Sequence, residues 1–437
     1  MTRAKSFMHA LNRRQFLKSA TAGSVAAGIG VWSSRSLAES GSPNEKLNIA
    51  CVGTAGQARF SIGGLASQNL VAFTDVDEKD LGQAAKDFPA AKTYADFRKM
   101  LEQKDIDAVM IATPDHNHAL ATLAAIKLGK HVYCEKPLTH TVHEARVVVN
   151  AARDAKVATQ MGTQIHAEPN YRRVVEILQS GAIGKVKEVH TWAGRQWTTK
   201  GRPTDTPPKP STLNWDLWLG PAPEVPYSAD YHPRNWRKYW DYGGGNLADL
   251  ACHHMDLPFW AFKLKHPKSI VAEGPPVDAI GCPSGLKVTY QYAADGDQPE
   301  ITLTWYDGDR IPEKILDAPT GGGGNLFVGE KGMLRADYGS WHLYPESDFV
   351  GYKPPEQTIP NSIGHHNEWI AACKGGTPAL CNFDYAGPLT EAVLLGDVAY
   401  RCGKPILWDA AAFKIPGNPD AEKWLSKEYR QGWELAL

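Results

Sequence analysis

An aspartate and a histidine, Asp249 and His253, stand four residues apart shortly after a run of three glycines. The glycines, at positions 243–245, open a stretch that favours a helix through about Phe262, and side chains four positions apart share one helix face. A carboxylate beside a histidine can orient the imidazole and stabilise its protonated form, which would make a general acid–base pair. The same spacing also suits a structural ion pair with no chemistry. His254 lies about 100° further round the helix and is expected to matter little.

Aromatic and basic residues are dense just before this helix, over positions 231–242. Aromatic rings can stack on sugars and arginines can donate hydrogen bonds to hydroxyls, so Arg234, Trp236 and Arg237 are candidates for binding a sugar. The three tryptophans nearest the helix are nevertheless more typical of a hydrophobic core than of a ligand surface: Trp236, Trp240 and Trp260.

A short apolar run, Leu47–Gly53, predicts a buried strand that ends in a tight turn and a helix. A second strand ends at Asp75, which follows Gly53 by 22 residues, about the distance at which an acid of a dinucleotide-binding fold meets the ribose hydroxyls. Such a turn lets backbone amides approach a pyrophosphate at the helix N-terminus. The glycine pattern is incomplete, since Ala55 and Ala58 replace two of its glycines, so an ordinary strand–helix turn also fits.

Strands and helices alternate as far as residue 161, which predicts a parallel, doubly wound sheet. Ligands bind at the carboxyl ends of the strands in such sheets. The later elements are expected at strand Ala108–Thr113, helix Asn117–Leu128, strand His131–Cys134, helix Thr141–Ala155 and strand Val157–Met161. The side chains expected at the strand ends are those of Gly53, Asp75, Thr113, Glu135 and Gln164.

The second half has a different pattern, with alternating strands separated by long polar segments. We expect an α+β domain with a largely antiparallel, open sheet, and we divide the chain into a dinucleotide-binding domain at 46–165 and a substrate domain at 166–437. The strands are predicted at Lys185–Arg195, Leu286–Tyr292 and Ile301–Tyr306, with a hairpin over 326–334.

The N-terminus resembles a twin-arginine (Tat) signal peptide. Arg13 and Arg14 precede a weakly apolar run, Ser19–Val31, and small residues at 36–38 suit a signal peptidase. The apolar run is too short and too polar for a membrane span. We therefore predict a signal peptide at 1–38, a linker at 39–45, and export to the periplasm by the Tat translocon; a tail with a chance arginine pair is the alternative. Because Tat substrates cross the membrane folded, a cofactor would be loaded before export.

Charge and cysteine content exclude several classes of partner. The chain has 47 basic and 48 acidic residues, and removing the six basic residues of 1–38 leaves 41 against 48, so a nucleic-acid partner is not expected. The seven cysteines are odd in number and widely spaced, which favours buried thiols over disulfides or a zinc site. No metal site is expected, and the pair His365–His366 is interpreted as capped or solvated at the start of a helix.

Several motifs in order resemble the Gfo/Idh/MocA oxidoreductases over about residues 46–410. They are the glycine turn, the segments 112–118 (ATPDHNH) and 135–137 (EKP), and the glycine run with Asp249, His253 and Asp256. Segments 231–237 and 382–388 look like the exported bacterial branch of that family. Ala251 departs from the family pattern, which usually has glycine there.

The resemblance implies a nicotinamide cofactor between the two domains and assigns roles to individual residues. Lys136, Asp249 and His253 would form the catalytic group: His253 takes the substrate's hydroxyl proton, Lys136 hydrogen-bonds the same oxygen, and Asp249 orients the pair. Arg234, Trp236, Arg237 and His253 would bind substrate. The cofactor would contact Gly53, Ala55, Gly56, Gln57, Asp75, Thr113, Pro114, His118, Glu135, Lys136 and Gln164.

These features favour a periplasmic NAD-dependent oxidoreductase that transfers a hydride to or from a ring hydroxyl of a sugar, polyol or glycoside. NADP is disfavoured because Asp75 would repel a 2′-phosphate. A glycosidase of the same fold, which oxidises a ring hydroxyl transiently and cleaves by elimination, is a close alternative. A non-catalytic sugar-binding protein is a further one. A homo-oligomer without stable membrane insertion is expected.

Overall fold

A computed structural model describes residues 46–435, so the predicted signal peptide and the linker lie outside the described residues. The first half forms a six-stranded, entirely parallel sheet in the order β3-β2-β1-β4-β5-β6. This order confirms the predicted doubly wound sheet. The strands are β1 (Asn48–Val52), β2 (Asn69–Thr74), β3 (Lys92–Tyr94), β4 (Ala108–Ile111), β5 (His131–Glu135) and β6 (Thr159–Gly162).

Three of the five helices of this half begin at a residue whose side chain accepts a backbone N–H of the first turn: Asp77, Asp96 and Thr141. In α5, the Thr141 side chain accepts from the Glu144 amide while the Glu144 carboxylate accepts from the Thr141 amide, a capping box that fixes the helix start. The helices are α1 (Gln57–Leu65), α2 (Glu78–Asp87), α3 (Phe97–Met100), α4 (Asp115–Lys127) and α5 (Val142–Ala155). Helix α4 begins two residues before the predicted start, which places Asp115 in its first turn.

The second half is built on an eight-stranded sheet in the order β15-β14-β13-β7-β10-β9-β8-β16. Only β7 and β10 pair in parallel, so the predicted, largely antiparallel sheet is confirmed. The strands are β7 (Val186–Ala193), β8 (Ser269–Glu273), β9 (Lys287–Tyr292), β10 (Ile301–Asp307), a separate pair β11 (Lys314–Ile315) and β12 (Ala318–Pro319), then β13 (Gly323–Gly329), β14 (Gly332–Ala336), β15 (Trp341–Tyr344) and β16 (Ile406–Leu407).

The helix predicted from the glycine run to Phe262 is two helices separated at Met255. A long helix near the C-terminus, α11, packs against α5 and joins the two halves, with Arg146 of α5 paired to Glu391. The helices are α6 (Pro169–Gln179), α7 (Trp215–Leu219), α8 (Gly245–His254), α9 (Asp256–Phe262), α10 (His365–Cys373), α11 (Phe383–Cys402) and α12 (Pro419–Glu422).

All seven cysteines are free thiols, five of them buried, as predicted. Within residues 46–435, no helix combines the length and the apolar character that crossing a bilayer requires. The boundary between residues 165 and 166 stays a prediction, since all described residues belong to one unit.

Candidate active site

A cavity of about 1330 Å³ opens where the carboxyl ends of the parallel strands face helix α8. Its walls include Gly53, Asp75 and Glu135 on one side and Asp249 and His253 on the other. Cavities that bind one small molecule usually measure about 300–1,000 Å³. The cavity therefore has room for a dinucleotide together with a second molecule.

The glycine turn after β1 fits a dinucleotide despite its two alanines. Gly53 has a φ of 94° and a side chain there would approach the Ala112 carbonyl oxygen to 2.4 Å, while Gly56 has a φ of 57°. These two positions need glycine and have it, whereas Ala55 and Ala58 do not adopt positive φ. The amides of residues 55–57 make no hydrogen bond to any group in the described part of the chain, so they are available to an anion at the start of α1.

Asp75 lies at the end of β2 and lines the same cavity. One carboxylate oxygen accepts from both the amide and the hydroxyl of Thr54 at 2.8 Å, and the other accepts from the Asp77 amide at 3.1 Å. Burial raises the pKa of Asp75 above its ordinary value, although these hydrogen bonds oppose the rise. The carboxylate thus braces the turn as well as facing the ligand space.

Glu135 ends β5 and its carboxylate is almost fully buried. It accepts hydrogen bonds from the Ser61 hydroxyl at 2.7 Å and from the Gln164 amide at 3.1 Å. Glu135 and Gln164 both line the cavity, as do Thr113 and Pro114. The hydrogen bonds hold Glu135 and Gln164 in fixed positions relative to α1.

His118 is not among the residues of the cavity wall, and its contact with a cofactor stays a prediction. The ring is buried, with Nδ1 2.7 Å from the Pro137 carbonyl oxygen and Nε2 2.9 Å from the Thr113 carbonyl oxygen. Burial lowers the pKa of His118 to about 4. A neutral imidazole has one N–H, so the ring donates to one of these two carbonyl oxygens and packs between the turn after β4 and the segment after β5.

The strongest contact at the centre of the cavity joins Lys136 to Asp249. The Lys136 ammonium donates to the backbone oxygen and to the carboxylate of Asp249, each at 2.6 Å. Arg237 and Trp197 also donate to this carboxylate, at 3.1 and 2.7 Å. Burial alone would raise the pKa of Asp249, but the charges of Lys136 and Arg237 outweigh it and hold the pKa well below its ordinary value. Asp249 is therefore a permanent anion that orients Lys136.

His253 lines the cavity beside this pair but is not hydrogen-bonded to Asp249 within residues 46–435. Asp249 instead contacts Lys136, the residue directly after β5. Burial and the nearby Lys136 charge hold the pKa of His253 well below its ordinary value. The imidazole is neutral and can accept a proton.

Arg234, Trp236 and Arg237 all line the cavity, where the sequence predicted substrate contacts. The Arg237 guanidinium lies over the Trp236 ring, 4.2 Å from its centroid. Trp240 and Trp260 lie elsewhere, in agreement with a packing role; Trp260 stacks on His166 at 3.9 Å. His254, expected to be unimportant, also lines the cavity and stacks on Tyr338.

Among the cavity residues that were not predicted, Asp115 and Trp197 matter most for the charge of the site. Asp115, 5% exposed, projects from the start of α4, and its carboxylate makes no hydrogen bond to a described residue. Burial raises the pKa of Asp115 to about 7, against the opposing charges of Arg237 and Lys136. An acidic residue at the start of the helix that follows a buried strand was the sign that could have identified it. Trp197 follows β7 in a polar segment with no pattern that marks it.

Two further histidine predictions need comment. His365 and His366 begin α10 as expected, but both are buried rather than solvated, with Nε2 of His365 2.8 Å from the Met161 carbonyl oxygen. Among the described residues, one buried trio has donor atoms close enough for a metal: His166, Asp256 and Cys381. Nδ1 of His166 lies 2.9 Å from the Asp256 carboxylate, to which Tyr385 also donates, so hydrogen bonds already account for this group.

Comparison with known proteins gives two family matches and several relatives. Residues 47–163 match the oxidoreductase family with an NAD-binding Rossmann fold (Gfo/Idh/MocA), and residues 174–329 match the C-terminal alpha/beta domain of that oxidoreductase family. Levoglucosan dehydrogenase of Pseudarthrobacter phenanthrenivorans is 33% identical over 175 residues, which are 40% of this chain and 38% of the relative. Inositol 2-dehydrogenase 2 of Saccharopolyspora erythraea is 29% identical over 150 residues, which are 33% of this chain and 44% of the relative. The chain thus spans less than half the length of these relatives.

Solved structures share the fold across nearly the whole described chain. GenD2 from gentamicin A biosynthesis, in complex with NAD, has a TM-score of 0.60 at 20% identity and covers 85% of this chain and 98% of its own. A levoglucosan dehydrogenase complex with NADH and levoglucosan has a TM-score of 0.57 at 15% identity, and the match covers 83% of this chain and 99% of the other. At these identities the likeness concerns the fold.

Proposed function

Because the chain belongs to the Gfo/Idh/MocA oxidoreductase family, we propose that it is an NAD-dependent oxidoreductase acting on a CH–OH group of a sugar, polyol or glycoside. The observation that carries the proposal is the Lys136–Asp249 pair, which lies in the same cavity as the glycine turn and Asp75. The named relatives, which act on levoglucosan and inositol, support a polyhydroxylated ring as substrate.

The residues around the turn fit a nicotinamide dinucleotide. The free amides of residues 55–57 and the start of α1 would hold its pyrophosphate, and Asp75 would accept from the ribose hydroxyls. When bound, the cofactor supplies a ring that accepts or donates a hydride. Asp75 favours NAD over NADP because a buried carboxylate repels a phosphate. We further propose that NAD is bound tightly and loaded before export.

Lys136 would donate a hydrogen bond to the substrate's hydroxyl oxygen, and His253 would accept the hydroxyl proton. Two of the three N–H donors of Lys136 are directed at Asp249, which leaves one for the substrate oxygen and fixes its direction. His253 is neutral and lines the cavity, so its free ring nitrogen can accept the hydroxyl proton. Because its pKa is low, the ring would pass the proton on to solvent rather than keep it.

The test is single-turnover hydride transfer on folded, NAD-loaded protein, with levoglucosan and myo-inositol as substrates. His253→Ala should lower the rate by about 10²–10⁴-fold, the usual contribution of positioned acid–base catalysis. His342→Ala, on the exposed face of β15, is the matched control and should keep the wild-type rate. A near-normal rate for His253→Ala would contradict the assignment. Cleavage of a glycoside without net NADH formation would indicate the glycosidase alternative.

We also propose that the protein works in the periplasm after export by the Tat translocon. The support is the order of twin arginine, apolar run and small residues in the first 38 positions. Replacing Arg13 and Arg14 together by lysine should retain the precursor in the cytoplasm with its cofactor bound. Normal periplasmic accumulation of that double variant would show that another route is used.

A further inference from the structure

Tyr338, in the turn after β14, is the most exposed aromatic residue on the wall of the candidate active-site cavity, among the residues that the structure describes. It is 42% exposed, whereas Trp236, which the sequence predicted as a stacking surface for a sugar, is 4% exposed. The Arg237 guanidinium also lies over the Trp236 ring. Trp236 therefore offers little ring surface to a ligand, and Tyr338 offers a large one.

The turn that carries Tyr338 is held in place by hydrogen bonds from two directions. Within the turn, the Asp337 carboxylate accepts from the amides of Gly339 and Ser340 at 2.9 and 2.8 Å. From α6, the side-chain amide of Asn170 donates to the backbone oxygens of Asp337 and Ser340 at 2.8 and 3.0 Å. The backbone that presents the ring is thus fixed before any ligand binds, which lowers the entropic cost of a contact with the ring.

His254 fixes the orientation of the Tyr338 ring. The two rings stack with their centroids 4.8 Å apart, and the Tyr338 hydroxyl oxygen lies 3.0 Å from Nε2 of His254. Burial lowers the pKa of His254 to about 4, so this imidazole is neutral. Tyr171 meets the Tyr338 ring edge on, with the centroids 5.8 Å apart. Because His254 covers one face of the ring, the exposed area belongs mainly to the opposite face.

Tyr338 also lies close to the Lys136–Asp249 pair. Partial burial raises the pKa of the Tyr338 hydroxyl, and the charges of Asp256 and Asp249 add to the rise, so this hydroxyl is within electrostatic reach of Asp249. Gly322, on the same cavity wall just before β13, has no atom within 4 Å of the position that a side chain would occupy. The cavity therefore has open space near the pair, and the uncovered ring borders the same cavity.

We propose that Tyr338 is the surface on which the substrate's ring rests, and that the substrate is a cyclic polyol or sugar that presents C–H groups on one face. This inference rests on the proposed function and narrows its substrate class. The face of an aromatic ring is negative, so it attracts the weakly positive hydrogens of such C–H groups, and the contact also buries apolar surface. An acyclic polyol has no fixed face and must lose conformational freedom to present one.

The experiment is calorimetric titration of the full chain loaded with NADH, which cannot oxidise an alcohol, with levoglucosan, myo-inositol and D-glucitol. The last two compounds carry the same number of hydroxyl groups, but only myo-inositol has a ring. Tyr338→Ala should lower the affinity for the two cyclic compounds by about 5–20-fold and leave the affinities for D-glucitol and for NADH almost unchanged. Tyr338→Phe keeps the ring face and should keep most of the affinity. Phe60→Ala, at a residue that is 60% exposed but not on the cavity wall, is the matched control.

Equal affinities of wild type and Tyr338→Ala for the cyclic compounds would overturn the proposal. A similar loss of NADH affinity would also overturn it, because the ring would then be a cofactor contact, and so would the absence of binding of either cyclic compound to the wild type. If Tyr338→Ala does not fold, Tyr338→Leu, which fills a similar volume without an aromatic face, is measured with the same expectations. Failure of the proposed oxidoreductase function would look different: the cyclic compounds would bind in a manner that depends on Tyr338, but NAD-loaded protein would transfer no hydride.

Discussion

Replacing Asp115 by asparagine should stabilise the protein at alkaline pH and leave its stability at acidic pH almost unchanged. Asp115 is 5% exposed and its carboxylate has no hydrogen-bond partner in the described chain, so ionisation places a poorly solvated charge at the cavity wall. Burial raises the pKa of its carboxyl from 3.8 to about 7, despite the opposing charges of Arg237 and Lys136.

The magnitude follows from that difference in pKa. A tenfold change in acidity corresponds to about 1.4 kcal/mol, so ionised Asp115 lowers the free energy of unfolding by roughly 4 kcal/mol. The folded state holds the proton more tightly than the unfolded state. Stability is therefore unaffected below about pH 4, decreases as the pH rises from about 4 to about 7, and stays reduced above that. Asparagine cannot ionise and removes the decrease.

The assay is urea denaturation of wild type and Asp115→Asn at pH 5 and pH 8. The variant should gain roughly 1.7 kcal/mol at pH 5, which already lies above the unfolded-state pKa of 3.8, and roughly 4 kcal/mol at pH 8. Asp154→Asn, on the exposed face of α5, is the matched control and should change the free energy of unfolding by less than about 0.5 kcal/mol at both pH values. An equal difference between wild type and Asp115→Asn at the two pH values would refute the reasoning, because the effect would then not come from ionisation.

Three further predictions concern the candidate active site. Calorimetry should show NAD bound more tightly than NADP, and Asp75→Asn should narrow that difference; tighter binding of NADP by the wild type would contradict the assignment of Asp75. Lys136→Ala should lower the single-turnover rate by at least about 10–100-fold, the value of one charge-assisted hydrogen bond, while Lys99→Ala on the exposed surface should not. Gly53→Ala should destabilise the turn and weaken NAD binding, because its Cβ would lie 2.4 Å from the Ala112 carbonyl oxygen. The control is Gly82→Ala, inside α2 with open space around it, which should raise the free energy of unfolding by about 0.5–1 kcal/mol. A loss of stability in both variants would contradict this reasoning, because it would show that alanine is tolerated at neither glycine.

The alternation of strands and helices was enough to predict the parallel sheet, and several of its strands end at or next to a residue that lines the cavity: Gly53, Asp75 and Glu135. Periodicity could not show where α11 would pack. Its residues are buried nearly all round, and only the structure shows that it covers both α5 and β8. The packing of Gly387 against Val149 depends on this long-range contact, which no local pattern encodes.

The sequence was enough to predict which residues of α8 face the candidate site, but not which residue Asp249 contacts. Spacing put Asp249 next to His253, and on an isolated helix that would be the expected contact. In the structure the partner of Asp249 is Lys136 rather than His253, and Lys136 lies at a strand end 113 residues earlier. Trp197 completes the carboxylate's partners from a segment with no regular structure. Such contacts follow from how the two sheets meet, and a single sequence does not show that.

Two of the aspartates that line the cavity, Asp249 and Asp115, illustrate how the fold sets chemistry that residue type alone does not. Their environments drive their pKa values in opposite directions, and the charge of Asp249 adds to the rise at Asp115. Asp249 has two cations and an indole N–H directed at it, so it stays charged at every working pH. Asp115 has no hydrogen-bond partner among residues 46–435, and burial raises its pKa to about 7, so its charge appears only near neutral pH. Below that pH, Lys136 and Arg237 together exceed the single negative charge of Asp249. This excess of positive charge would stabilise the negative charge that develops on a substrate hydroxyl oxygen as it loses its proton. Ionisation of Asp115 would cancel the excess, so the same residue that limits stability at alkaline pH would also weaken the field on which the proposed chemistry depends.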